Sequence, residues 1–494
     1  MKTYLLFRDK DFYWDVVESE HDKTLAFDMQ LEVILNKMSA GDKEVHDICR
    51  KVILNPLFDK EEIIFRQKVF KDCVRNKWIF DEIDKMKKSL EAKKQSSGRA
   101  GLLWDHPESK VSIGIEVLNT YMDELKALKK LAEKRAGEFK SDGFTSLFAR
   151  INGELNDTFF KEVKVELDKC LFKDGIEIGM NLSEGLKSSE YKLVEPQPVV
   201  KGFFNKLFSR EKTISFRMDA PDDKDSITEM REKGLNSIGN TLMQAADHIQ
   251  NFFIMLDREL SFYKGAINLC EYLQNLGLGL VYPNIHEENV GVVEYQGIID
   301  IALTIQKNQP VVGNSGIIAE KRAVVISGAN QGGKTTFLRS IGQAILFAQS
   351  GLFVPGEMFS TGIYSGLYTH FRKEEDTSMK SGKLDEELSR INDILEVIKP
   401  GACIMFNESF ASTNEREGSE IGWQVLSALE RSGMRIFIVT HFYELASLFK
   451  DNDVNAIFFR AERLEDGRRT FKITEGYAMK TGFGMDLYQE IFGE

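Results

Sequence analysis

Cysteine, proline and long apolar runs are all scarce in this 494-residue chain. Its five cysteines are scattered without a close pair, which fits a reducing cytosol and offers no zinc framework. No stretch approaches the roughly 18 uninterrupted apolar residues that a membrane span requires. Residues 1–15 mix charged and aromatic side chains, unlike a signal peptide. The sequence therefore predicts a cytoplasmic protein without a membrane segment.

Basic charge is not in excess either. The chain has 65 Lys and Arg residues against 77 Asp and Glu residues, which gives a net charge of −12. This balance argues against a protein whose whole surface binds nucleic acid, although a local basic face is compatible with it. The length predicts several domains, and the 9 prolines and long helical periodicities predict a helical first half.

Two long amphipathic helices are predicted in that first half, at residues 113–140 and 226–273, and they could pack as antiparallel arms. Between them, strand-like segments at 176–182 and 191–194 predict a small β-containing tip. Basic residues that could hold a DNA backbone follow these strands: Lys201, Lys206, Arg210 and Lys212. A solvated amphipathic segment would have the same composition. A separate lysine-rich run, residues 85–99, is predicted to be an exposed loop.

The most informative pattern is a phosphate-binding loop between an apolar strand at 323–327 and a helix that includes Phe337. Its spacing turns successive backbone N–H groups toward a phosphate, brings Lys334 to the β and γ phosphates, and offers the Thr335 hydroxyl to Mg²⁺. The residues predicted to contact the nucleotide are Gly328, Asn330, Gly332, Gly333, Lys334, Thr335 and Thr336. The chain is therefore predicted to bind a nucleotide with Mg²⁺.

Two later apolar strands end in polar residues that complete a candidate hydrolytic site. Asn407 and Glu408 follow the first strand, and His441 follows the second. Glu408 is the candidate general base, and His441 is a candidate sensor of the γ-phosphate, although a lone histidine is more often a cap or core residue. Asn407 stands where an aspartate would ordinarily hold Mg²⁺ through water. An amide carries no charge, so slow hydrolysis is expected.

A polar segment between these elements opens a helix that is predicted to run to Ile398. Its small residues include Ser378 and Ser381, which could contact the γ-phosphate of a nucleotide held by a partner subunit. Taken alone, the segment has the composition of a capped surface loop.

These motifs resemble the MutS family of DNA mismatch repair and recombination ATPases, a branch of the ABC-type ATPases. The resemblance rests on the loop at 328–336, with an asparagine and paired glycines before the lysine, on residues 440–445, and on the segment 408–418. Residues 55–67 are more weakly similar. The resemblance to this family implies ATP as the nucleotide, a composite ATP site in a homodimer, and DNA binding that is controlled by ATP.

The resemblance also implies a fold class, multidomain α plus α/β. A helical segment at 1–54 is expected to precede a helical core at 55–285 with two long lever helices and a β-containing, clamp-like insert at about 165–225. An ABC-type P-loop ATPase domain is expected at 286–494. The chain departs from the family pattern at Asn407, and at Phe410 and Ser412, where the family has glycines. No mismatch-reading domain fits into the first 50 residues.

The leading hypothesis is a cytosolic dimer that binds mismatched, branched or distorted DNA in mismatch repair or recombination, with ATP hydrolysis controlling a clamp. The alternative is an interaction protein whose ATP site is a slow switch acting on a protein or ribosomal partner. The negative net charge and Asn407 favour this alternative modestly. A DNA-organising ATPase of the SMC type would require much longer heptad runs.

Overall fold

The computed structural model describes residues 1–99, 106–172, 177–182, 188–194, 221–287, 291–328, 331–373, 382–452, 454–464, 468–479 and 493. The helices are α1 Glu20–Asp28, α2 Leu31–Ser39, α3 Lys43–Ile53, α4 Lys60–Arg75, α5 Trp78–Arg99, α6 Pro107–Arg135, α7 Asp142–Glu154, α8 Asp157–Lys169, α9 Pro221–Asn275, α10 Ile301–Lys307, α11 Lys334–Gln349, α12 Lys383–Val397, α13 Glu415–Arg431 and α14 Tyr443–Asp451. The strands are β1 Glu177–Leu182, β2 Ser188–Val194, β3 Leu280–Val281, β4 Asn284–Ile285, β5 Val293–Ile298, β6 Asn314–Ile318, β7 Ala323–Ser327, β8 Val354–Pro355, β9 Met358–Thr361, β10 Leu367–Phe371, β11 Cys403–Asn407, β12 Arg435–Val439, β13 Ala456–Arg463 and β14 Arg469–Glu475.

Polar residues begin several of these helices. Ser19 and Asp22 form a reciprocal capping box at the start of α1. The Asp59 side chain accepts a hydrogen bond from the backbone N–H of Glu62 in α4, and other helices start in the same way. Each cap satisfies a backbone donor that the first helical turn leaves without a partner. None of the helices in the described part of the chain is both long and apolar enough to cross a membrane.

The chain divides into two compact units. The first unit contains residues 1–3, 78–139 and 144–257, and the second contains residues 4–77, 140–143 and 258–494. These boundaries differ from the predicted divisions at 54 and 285, because residues 4–77 group with the C-terminal part of the chain. The first 54 residues contain the helices α1 to α3.

The first unit is largely helical. The predicted helices at 113–140 and 226–273 correspond to α6 and to α9, whose residues from 258 onward belong to the second unit. Gly114 of α6 lies so close to α9 that an added Cβ would be 2.9 Å from the Cβ of Leu242. The predicted strands form the antiparallel hairpin of β1 and β2. The four basic residues predicted to contact DNA, at 201, 206, 210 and 212, lie outside the described residues.

The prediction of an exposed loop at residues 85–99 is wrong, because α5 covers this run. Ile83, Met86 and Leu90 recur at three- and four-residue spacing and are buried, which is the helical pattern that the lysines obscured. The lysines form ion pairs within the first unit: Lys88 with Asp84, Lys93 with Glu116, and Lys94 with Asp247. These lysines therefore lie on a solvated, paired helix surface.

The second unit contains a six-stranded sheet with the order β10-β11-β12-β7-β13-β14. Its first five strands are parallel to their neighbours, and only β14 runs antiparallel. Strands β7 and β12 are buried along their whole length, as expected for parallel strands with both faces covered. A second sheet has the order β4-β9-β5-β6. The molecule is thus mixed helical and α/β, as predicted.

The N-terminal residues of the second unit hold the C-terminal end of α11. The backbone N–H of Leu57 donates to the carbonyl oxygen of Gln349 at 2.8 Å, and the Gln349 side chain donates to the carbonyl oxygen of Leu57 at 3.0 Å. The fully buried Arg66 of α4 donates to the carbonyl oxygens of Leu6 and Ser350. Because Ser350 caps α11, these contacts explain why residues 4–77 belong to this unit.

Asp28, the last residue of α1, makes stability depend on pH. The side chain is nearly buried, and burial raises its pKa to about 6, while Thr369 and Arg390 act in the opposite direction. Because the pKa of Asp28 is higher in the folded than in the unfolded protein, the folded protein loses stability as pH rises from about 4 to about 6. We expect Asp28→Asn to remove this loss, of order 3 kcal/mol.

Urea unfolding of both proteins at pH 4 and pH 7 measures this effect. The free energy of unfolding of Asp28→Asn relative to the unsubstituted protein should rise between the two pH values. The exposed Asp451→Asn is the control and should show no such trend. An equal difference at both pH values would contradict the assignment.

Candidate functional site

The loop between β7 and α11 has the backbone geometry that its glycines predict. Gly328 and Gly333 have φ values of 119° and 92°, a region that glycine adopts without steric cost. A Cβ at position 328 would also lie 3.0 Å from the backbone nitrogen of Ala461. Gly333 forms the N-cap of α11, so the positive end of this helix faces the loop. Asn330, a predicted nucleotide contact, lies outside the described residues.

Lys334 points into this loop. Its Nζ donates to the carbonyl oxygen of Gly328 at 2.7 Å and lies 4.0 Å from Oε1 of Glu408. Burial lowers the pKa of Lys334, and the Glu408 carboxylate opposes this change. The ammonium group is therefore held between the carbonyl group of Gly328 and the carboxyl group of Glu408.

The two residues predicted to serve Mg²⁺ lie together. The Thr335 hydroxyl donates to Oδ1 of Asn407 at 2.8 Å, which joins the first turn of α11 to the end of β11. Thr336, the next residue, lines the same cleft as Lys334 and Thr335. The site thus offers hydroxyl and amide oxygens, the ligand type that Mg²⁺ prefers.

Glu408 and His441 also lie at this edge, because β11 and β12 are adjacent and parallel and their carboxyl ends meet there. Nδ1 of His441 is 3.5 Å from Oε2 of Glu408. The hydrogen bond with His441 lowers the pKa of Glu408, with help from the positive charge of Lys334 and against the effect of burial. The carboxylate is therefore ionised at neutral pH and available as a proton acceptor.

A cleft of about 490 Å³ extends from the loop. Gly332, Gly333, Lys334 and Glu408 were predicted from the sequence and line this cleft. Further lining residues were not predicted: Leu303, Lys307, Gln309, Pro310, Val311, Val312, Asn314 and Phe471. Phe471 is half exposed at 48% and has a φ of 59°. No sequence signal identifies Phe471, because its exposure follows from the fold.

The structure brings together all the described residues of the predicted nucleotide and hydrolytic site. The two serines predicted to contact a partner's nucleotide, Ser378 and Ser381, lie outside the described residues. The helix predicted to end at Ile398 is α12, which ends at Val397.

Comparison with protein-family models matches two parts of the chain. Residues 58–276 match the MutS2 N-terminal domain, and residues 324–491 match MutS domain V. The second match contains the loop, Asn407, Glu408 and His441. Together the two matches include most of both the helical part and the sheet with its nucleotide-type site.

Individual proteins show the same similarity. A DNA mismatch repair protein MutS of Chlorobium phaeovibrioides is 23% identical over 381 residues, which are 75% of this chain and 40% of that protein. An endonuclease MutS2 of Halalkalibacterium halodurans is 29% identical over 213 residues, or 41% of this chain and 25% of that protein. A MutS of Caldicellulosiruptor bescii is 29% identical over 133 residues, 26% of this chain and 15% of that protein. The matched regions thus span less than half the length of these relatives.

Proposed function

Because the chain belongs to the MutS family, we propose that it is an ATP-dependent DNA-binding protein whose ATP hydrolysis controls a dimeric clamp on mismatched, branched or distorted DNA. The process served would be DNA mismatch repair or recombination. The single observation that carries the ATPase part is the convergence of Lys334, Thr335, Glu408 and His441 at one sheet edge. Dimerisation through the ATPase faces and the clamp action are proposed by analogy with the family.

In this proposal each side chain has a separate task. Lys334 and the N-terminus of α11 bind the β and γ phosphates, because both supply positive charge at the loop. Glu408 orients the attacking water and accepts its proton, since the low pKa of its carboxyl keeps it ionised. His441 orients the Glu408 carboxylate through Nδ1, and when both of its ring nitrogens carry a proton its Nε2 donates a hydrogen bond to the γ-phosphate.

Thr335 and Asn407 fit a site for Mg²⁺, because both present oxygen atoms at the phosphate side of the loop. Thr335 would bind the ion directly, and Asn407 would bind it through water. When bound, Mg²⁺ supplies positive charge that offsets the charge developing on the phosphates. Asn407 contributes a hydrogen-bond acceptor without a negative charge, so we propose that hydrolysis is slow.

We expect Asn407→Asp to bind Mg²⁺ and ATP together at least tenfold more tightly and to raise turnover. A unit charge a few ångströms from a divalent cation contributes more than the ~1.4 kcal/mol that a factor of ten requires. Titration of ATP turnover with Mg²⁺ measures the effect. Asn414→Asp adds the same charge at the start of α13 and is the control. An unchanged Mg²⁺ dependence would show that residue 407 does not serve the ion.

Phe471 is proposed to stack on the nucleotide base, because it forms a half-exposed aromatic wall of the cleft. We expect Phe471→Ala to weaken ATP binding about tenfold, since stacking of a base on an aromatic side chain contributes roughly 1–3 kcal/mol. Phe471→Tyr should retain the affinity. Tripolyphosphate has no base, so its binding should be equal in all three proteins. Equal losses for ATP and tripolyphosphate would contradict stacking.

The DNA part of the proposal is tested by binding of four-way, mismatched and plain duplex DNA. Binding of each DNA to the unsubstituted protein is measured without nucleotide, with ADP and with ATP. Binding to the Glu408→Ala variant is measured with ATP. A preference for branched or mismatched DNA that changes with the nucleotide supports the proposal. Affinity should fall steeply with salt, because phosphate contacts release counterions. Binding no tighter than to plain duplex in every state would contradict it.

A second candidate function is a slow ATP switch that acts on a protein or ribosomal partner. The neutral amide of Asn407 beside Thr335 and the net charge of −12 favour it. This candidate gains support if the protein binds ATP, ignores all three DNA structures, and co-purifies with RNA or with one fixed protein.

A further inference from the structure

The backbone around the candidate base is unusual. Glu408 and Phe410, which both have side chains, have φ values of 53° and 67°. This left-handed region is unfavourable for residues other than glycine, so it persists only where the surroundings impose it. Two such residues within three positions point to a segment that is held by its neighbours.

Strand β10 holds this segment through Ser409. The Ser409 hydroxyl donates to the carbonyl oxygen of His370 at 2.8 Å and lies 2.7 Å from Nδ1 of the same residue. Since the hydroxyl hydrogen is used, Ser409 must accept from Nδ1, which therefore carries a proton. Burial lowers the pKa of His370 to about 3, so the ring is neutral and has one tautomer. Both side chains are buried.

Helix α12 holds the same segment from another side. Oε1 of Glu387 accepts a hydrogen bond from the backbone N–H of Phe410 at 3.1 Å. Glu387 is only 4% exposed. Its Oε1 satisfies a backbone donor in a strained turn, while its Oε2 is buried with no hydrogen-bond partner among the described residues.

Helix α13 completes the enclosure. The Phe410 ring is buried, and two glycines of α13 leave room for this residue. A Cβ at Gly418 would lie 2.5 Å from the carbonyl oxygen of Phe410, and a Cβ at Gly422 would lie 3.0 Å from its ring. The two glycines are four residues apart and so share one face of the helix. In this chain a phenylalanine thus occupies the turn, and two glycines of α13 face it.

We propose that His370, Glu387, Ser409 and Phe410 form a positioning bracket that fixes the Glu408 carboxylate toward Lys334 and His441 for hydrolysis. This inference rests on the proposed ATPase function. Glu408 lines the nucleotide cleft, whereas the four bracket residues are not among its lining residues. The bracket residues should therefore affect turnover and leave nucleotide affinity unchanged.

The test compares two substitutions of Glu387. Glu387→Ala removes the acceptor for Phe410, whereas Glu387→Gln keeps an acceptor oxygen. We expect Glu387→Ala to lower kcat roughly 10- to 100-fold at unchanged Kd for ATP, because small misplacements of a reacting group have effects of this size. Glu387→Gln should keep most of the activity. Glu396→Ala, an exposed residue of α12, is the control.

A combination with Glu408→Gln separates positioning from a general structural defect. If Glu387 acts through Glu408, then Glu387→Ala should cause no further loss of the residual rate in Glu408→Gln. Equal losses in both backgrounds would overturn the proposal, as would unchanged kcat in Glu387→Ala. Ser409→Ala removes only a hydroxyl and serves in the same cycle if Glu387→Ala does not fold.

The outcomes distinguish this inference from the function on which it rests. If the unsubstituted protein binds and hydrolyses no ATP, the proposed function fails, and the bracket's role fails with it. If the protein hydrolyses ATP and Glu387→Ala turns over normally, only the bracket is overturned; Ser409→Ala decides in its place where Glu387→Ala does not fold.

Discussion

Replacing Glu408 by glutamine should lower the rate of ATP hydrolysis by about 10²- to 10⁴-fold, the range that a positioned general base typically contributes. Glutamine has nearly the same shape and can still accept a hydrogen bond from His441, but it cannot accept a proton from water. Lys334 lies 4.0 Å from the Glu408 carboxylate, and without that carboxylate its positive charge would act on the phosphates alone. The loss of the carboxylate should therefore not weaken ATP binding. Removing a negative charge near the phosphates should instead leave affinity equal or higher.

Single-turnover hydrolysis of Mg²⁺-ATP, together with ATP affinity from equilibrium binding, measures the two quantities separately. Glu417→Gln, an exposed residue in the first turn of α13, is the matched control and should hydrolyse ATP normally. Turnover of Glu408→Gln at the unsubstituted rate would mean that another group accepts the proton. The assignment of this strand end as the hydrolytic centre would then be wrong.

Lys334→Ala should weaken ATP binding by about 100-fold or more. A hydrogen bond to a charged group contributes roughly 1.5–3 kcal/mol, and this side chain is expected to make two with the β and γ phosphates. The substitution also removes the cation next to Glu408, so the carboxylate would face the phosphates without compensation. Both effects act in the same direction.

Equilibrium binding of ATP and ADP measures this loss, with thermal unfolding as the check that the variant is folded. Lys399→Ala removes a lysine before β11, away from the cleft, and should bind ATP normally. ATP affinity within a factor of three of the unsubstituted protein would contradict a phosphate-binding role for Lys334.

The nucleotide-type site could be predicted from sequence because its parts are local or follow from parallel topology. The loop at 328–336 has its own glycine pattern, and Glu408 and His441 each follow an apolar strand. Adjacent parallel strands bring their carboxyl ends together, so separate strand ends form one site. The two long helices could also be predicted, because their helical periodicity extends over many turns of the sequence.

Other features depend on contacts that no local pattern records. The Arg66 side chain donates a hydrogen bond to the carbonyl oxygen of Ser350, which is 284 residues away in the sequence. Phe410 and Phe471 have positive φ values, against the preference of phenylalanine, so a reading based on propensity gives no sign of their roles. The run at residues 85–99 was predicted as a loop because of its many lysines, but these lysines lie on the solvated face of helix α5.

The grouping of residues 4–77 with residues 258–494 has a consequence for synthesis on the ribosome. Translation makes the first of these segments some 180 residues before the second begins. One of the carbonyl groups that Arg66 contacts, that of Ser350, does not exist until residue 350 has been made. Most of the first compact unit, in contrast, is encoded between the two segments and can fold as soon as it emerges. The N-terminal residues of the second unit therefore spend most of translation without their C-terminal partners, and contacts of such long sequence separation form slowly.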